Sequence, residues 1–223
     1  MTSTSPGLTT LVHTTTVQER IDSAINDLLR SLPDPERLSA EQRRGIIARY
    51  TAVLEGNFIY WMTGAYLSAK SEDARSIIME NLHEEVRDSH PDMMRRFALA
   101  AHAAPTDADA AAVYRDLTRV RLFIGRLSGV QILVTMGFFE GFIQQFMSYL
   151  AGLAELQGST EMEYTDVHGV CDITHTQELF RALGAEMALD PPEPEIDLYE
   201  GVNLLQVLIR TIVHSDSLDL KIA

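Results

Sequence analysis

The chain has 223 residues, 46% hydrophobic and 22% charged, which suits one folded domain and argues against global disorder. Eighteen Lys+Arg against 32 Asp+Glu leave a formal charge of −14, a field that repels phosphate backbones and speaks against a nucleic-acid partner. The single cysteine, Cys171, excludes an intramolecular disulfide framework and a multi-thiolate zinc site.

Residues 1–16 are rich in Ser and Thr, with no basic segment leading into an apolar run. They read as a disordered tail rather than a signal peptide, ahead of a single helical domain over 17–223. Gln18 to Ser31 places Ile21, Ile25, Leu28 and Leu29 at helical spacing, and Pro33 and Pro35 end that helix. Ser39, with Gln42 three residues on, forms a capping box for a helix expected to run to about Ala69. Glu72 to Glu85 predicts a third helix, broken or bent near Asp88 to Pro91; Met93 to His102 continues it, and Pro105 closes the segment. The fifty or so residues after Asp107 are too long for one ordinary helix. A split is expected near Gly125 to Gly129. Within that stretch, Val130 to Phe146 is the most apolar segment, but Gln131, Glu140, Gln144 and Gln145 interrupt it, so no membrane span and a cytoplasmic location are expected. A further helix is expected from Met162 to Leu183 with Gly184 as its cap, and a last one from Asp197 to His214 after the proline-rich connector Asp190 to Glu195. The fold class is all-α, a helical bundle.

Chemistry concentrates in one segment. His168, Asp172 and His175 stand at i, i+4 and i+7, which places them within about 60° of one another on a helix. Imidazoles and a carboxylate converging from one face suit iron or manganese; three polar residues on an exposed face would look the same. Glu140 lies in the middle of an otherwise apolar helix, where an unpaired carboxylate is costly and needs a partner or a metal. Glu84, Glu85, Asp88 and His90 form a third cluster, also readable as a solvated helix end. Glu55 is a weaker fourth candidate, since it could simply face water. Carboxylates and His from several helices, aimed inward, are what a carboxylate-bridged dimetal site requires.

The order Asn-Leu-x-x-Glu (Asn81 to Glu85), His90 ahead of Met93-Met94-Arg95-Arg96-Phe97, Glu140, and then His-x3-Asp-x2-His (His168 to His175) resembles the haem-oxygenase-like diiron oxidases over roughly residues 45–185. The resemblance implies a seven-helix haem-oxygenase-like fold. It also implies two Fe(II) ions held by Glu85, His90, Glu140, His168, Asp172 and His175, with Glu55 as an extra carboxylate. The spacer between Glu85 and His90 is shorter than is usual in that family, which leaves Glu84, Glu85 and Asp88 all open as the ligand. The implied reaction is reduction of O2 to a peroxo-diferric species that oxidises a small substrate, with an external electron donor and a homodimer as further expectations.

An amino-acid-like substrate from natural-product biosynthesis is the expectation, specifically desaturation and C–N cyclisation of isoleucine to an azetidine amino acid; N-oxygenation and C–C cleavage are the alternatives within the family. A substrate carboxylate calls for a planar, bidentate cation, and Arg210 is the candidate. Against it, Asn203, Gln206, Arg210 and His214 also follow the spacing of a solvent stripe. Two other classes compete. One is a metal-free, thiaminase-like hydrolase with Cys171 as nucleophile; the other is a non-catalytic helical binding protein. His13, His83 and His102 match no ligand spacing.

Overall fold

The computed structural model describes residues 6–215. They form α1 (Pro6–Arg30), a short 3-10 turn (Pro35–Arg37), α2 (Ala40–Leu54), α3 (Asn57–Ser68), α4 (Glu72–Arg87), α5 (His90–Ala100), α6 (Asp107–Ile124), α7 (Gly129–Glu155), α8 (Glu163–Leu189) and α9 (Glu200–His214). No strand occurs among the described residues, so the expected all-α class holds. No helix among them is long and apolar enough to cross a membrane.

Three boundaries depart from the sequence expectation. Helix α1 begins at Pro6, so residues 6–16 of the expected tail are helical; proline is well tolerated in a first turn, and residues 1–5 lie outside the described part. The helix expected from Ser39 to Ala69 keeps its capping box but breaks at Glu55–Gly56. Gly56 takes φ +76°, a left-handed conformation that a Cβ disfavours, and this separates α2 from α3. Helix α8 runs through Gly184 to Leu189, because Glu186 beyond that glycine has a buried role of its own.

Helix α7 forms the axis of the bundle. It is apolar nearly all round, and a helix of that kind is stable only inside. Phe138, Phe142 and Phe146 stack along it with ring centroids 6.3 and 5.0 Å apart. Helix α8 packs along its length, with α1, α2, α3 and α9 around it, in one continuous core. Glu186 is fully buried and accepts the backbone N–H groups of Lys70 at 2.9 Å and Ser71 at 2.8 Å. This fastens the start of α4 to the far end of α8, and the Ser71 hydroxyl caps α4 at Ala74 N.

Arg44 on α2 grips Asp109 on α6 through two hydrogen bonds of 2.8 and 3.2 Å, while Thr106 donates its N–H and hydroxyl to the same carboxylate at 2.9 and 2.6 Å. Burial opposes the Asp109 charge, but Arg44 and Thr106 outweigh it and hold the pKa below the usual carboxylate range. A lowered folded-state pKa contributes stability above the unfolded value and loses it as pH falls through the folded one. Asp109→Asn should therefore lower unfolding free energy by about 2 kcal/mol at neutral pH. That gap should close as pH falls below about 4, read from urea titrations at both pH values.

Candidate metal centre

Helix α8 supplies the framework. His168, Asp172 and His175 are all buried on its inner face. His168 Nδ1 lies 2.8 Å from the Tyr164 carbonyl one turn back; a carbonyl only accepts, so Nδ1 carries the proton and Nε2 keeps a free lone pair. The Tyr164 ring lies against the imidazole with centroids 4.3 Å apart, fixing its plane.

Helix α4 brings Glu84 and Glu85 against α8. At Asp88–Ser89 the chain breaks, with Ser89 at φ +56°, and α5 starts so that His90 turns back onto Glu85. His90 Nδ1 is 2.8 Å from Glu85 Oε1, and His168 Nε2 is 3.9 Å from the same oxygen. Glu85, His90 and His168 are all buried, with one donor atom each inside 4.8 Å of the others. Beside them, His175 Nε2 is 2.8 Å from Glu84 Oε2, and His175 Nδ1 is 3.7 Å from Asp172 Oδ1. Glu84 thus occupies one nitrogen of His175 and leaves the other facing Asp172.

Glu140 projects from α7 into the same interior. Its Oε1, Asp172 Oδ2 and His175 Nδ1 are buried without a hydrogen-bond partner, as are Asn81 Nδ2 on α4 and Thr176 Oγ1 on α8. Burial, then the charges of Asp172 and Glu85, push the Glu140 pKa well above its ordinary value despite His175 nearby. Burial would lower the His175 pKa, but Asp172, Glu140 and Glu84 outweigh it and raise it to about 10. His90 moves the same way, burial being overcome by Glu85. The site is an excess of buried negative charge partly offset by protons on its own groups. Such a site has room for cations, and hard oxygen with borderline nitrogen donors fits Fe(II).

The centre opens into a pocket of about 440 Å³, its mouth included. Glu85, His90, Glu140, His168 and Asp172 form its polar floor, and Leu54, Phe58, Met94, Phe139 and Ile143 its apolar walls. No Arg or Lys is among the lining residues.

The structure gathers Glu84, Glu85, His90, Glu140, His168, Asp172 and His175 and separates Asp88, Glu55 and Arg210 from them. Among the three acidic residues left open on α4, Glu85 faces His90 and His168, Glu84 holds His175, and Asp88 is exposed and paired with Arg87 at 2.9 Å. Glu55 is not part of the cluster. The Gly56 turn leaves it exposed, bound to Arg95 at 2.6 Å beside the pocket residues Leu54 and Met94. Arg210 is exposed on the outer face of α9 and absent from the lining, so the solvent-stripe reading of α9 is the correct one. Cys171 is half-buried and donates its S–H to Asp172 at 3.3 Å. Burial and that carboxylate push the thiol pKa up, the reverse of what a thiolate nucleophile needs. Tyr164, with its hydroxyl 2.8 Å from that of buried Tyr50, escaped the sequence analysis; its place one turn before His168 was the available signal.

Residues 47–206 match the family described as iron-containing redox enzymes, and the chain belongs to that family, within the haem-oxygenase-like superfamily. It is accordingly an iron-dependent oxidoreductase. The chain matches no curated protein and no solved structure at significant similarity.

Glu140→Gln replaces the least compensated buried carboxyl with a neutral amide of the same shape. The metal-free variant should be at least as heat-stable as the parent, while its iron content after loading falls. Glu55→Ala should leave iron content unchanged. Paired thermal melts and iron analysis read both outcomes.

Proposed function

We propose that this chain is a non-haem diiron oxidase that uses O2 to oxidise a small, aliphatic, amino-acid-like substrate. The observation that carries the reading is the set of orphaned donor atoms on Glu140, Asp172 and His175 beside the Glu85–His90–His168 cluster. Glu85, His90 and His168 would hold one iron, and Glu140, Asp172 and His175 the other. Bound there, the two ions supply the reduction of O2 that makes substrate oxidation possible. An external donor returns electrons between turnovers.

The protein's own groups do the rest. The Tyr164 carbonyl keeps His168 in the tautomer that leaves Nε2 available, and Glu84 does the equivalent for His175. Leu54, Phe58, Phe139 and Ile143 keep bulk water from the reacting centre and favour an aliphatic side chain such as that of isoleucine. Two divalent ions would balance the four carboxylates Glu84, Glu85, Glu140 and Asp172. With no Arg or Lys lining the pocket, a substrate carboxylate would have the ions themselves as its cationic partner. Desaturation and C–N cyclisation of isoleucine fit such a pocket, and other oxidations of an aliphatic amino acid fit it as well.

The test is anaerobic titration of metal-free protein with Fe(II), then mixing with O2 in the presence of single amino acids. The expected result is about two irons per chain, with O2 consumption accelerated by an aliphatic amino acid and by no acidic one. An intact helical fold that takes up no iron would remove the diiron reading. Iron uptake with equal O2 consumption across all amino acids would remove the substrate class.

A further inference from the structure

Behind the apolar wall of the pocket lies a second void, among side chains of α2, α7 and α9. It is walled by hydrocarbon and aromatic groups, Leu208 and Ile209 among them, and no polar atom opens onto it. Tyr50 contributes its ring, but its hydroxyl is turned to Tyr164. Leu54, Phe139 and Ile143 line both this void and the pocket over the candidate metal centre, so only one layer of side chains separates the two.

Space of this kind is unusual in an interior packed to crystal density, and an unfilled void weakens the core around it. It has room for about one water-sized molecule. Water gains nothing there, because it needs two or more polar partners and finds none. An apolar diatomic gas has no such requirement and partitions favourably from water into hydrocarbon. The void offers no group to hold the charged ends of an amino-acid-like substrate, and its single-layer wall faces the candidate metal centre.

We propose that the α2–α7–α9 void is an O2-holding site that feeds the metal centre past Leu54, Phe139 and Ile143. The role as a feed rests on the diiron reading; the binding of gas does not. A ligand held there is concentrated beside the reaction without passing the substrate, which occupies the open mouth of the pocket. Oxygen consumption should then stay fast when substrate is bound.

Methyl NMR of the metal-free protein under O2 pressure tests the binding directly, because O2 is paramagnetic and speeds relaxation of the protons it visits. Methyls of Leu208 and Ile209 should show severalfold greater enhancement than the equally buried Ile78 and Val113. Equal enhancement at all four would overturn the inference. Leu208→Phe, or Ile212→Phe should the first fail to fold, fills the void. Either should abolish the local enhancement and slow O2 consumption of iron-loaded, substrate-bound protein severalfold, with iron content unchanged. Loss of the enhancement with O2 consumption unaltered overturns the feeding role. A parent chain that takes no iron defeats the diiron reading instead, and the relaxation measurement still decides whether gas is held.

Discussion

Three carboxylates inside one apolar bundle set the terms for everything around them. Glu85, Glu140 and Asp172 are all buried, and Glu140 Oε1 and Asp172 Oδ2 have no hydrogen-bond partner. In a medium of low polarisability such charges must be neutralised by protons or by metal. The metal-free molecule uses protons, which is why Glu140 and His175 are both shifted toward their protonated forms. A cation taken up among these groups would displace those protons, coupling its affinity to pH.

Burial alone does not mark a functional carboxylate, and Glu186 makes the distinction clear. It is less exposed than Glu140, yet two backbone N–H groups at the α3–α4 junction satisfy it. One acid completes the fold; the other is left incomplete by it. Asp109 belongs with Glu186, since Arg44 and Thr106 account for its charge. Among buried acids, accounting for the hydrogen bonds separates structure from chemistry better than exposure does.

The sequence made legible what depends on helical period. His168, Asp172 and His175 share a face because 3.6 residues make a turn, and Glu140 is conspicuous in an apolar helix. Backbone events were not legible. The break that folds His90 onto Glu85 is made by Ser89 at positive φ, a conformation no residue type announces there, so Glu84, Glu85 and Asp88 could not be told apart. Glu55 was readable either as a weak ligand candidate or as a water-facing group; Gly56, directly after it, ends α2 and leaves it exposed beside Arg95. Arg210 shows a further limit, since the outer stripe of an amphipathic helix and a row of ligand-binding groups have identical spacing.

Glu186 has a consequence beyond holding a loop. It grips the start of α4 from one end of α8, and His168 and His175 meet Glu85 and Glu84 farther along the same two helices. Helix α8 therefore serves as a ruler against which α4 is measured at both ends. Losing one residue between Ser71 and Glu84 would turn the downstream carboxylates by about 100° with the upstream clamp still closed. Exposed side chains along this stretch can vary, but the number of residues in it cannot.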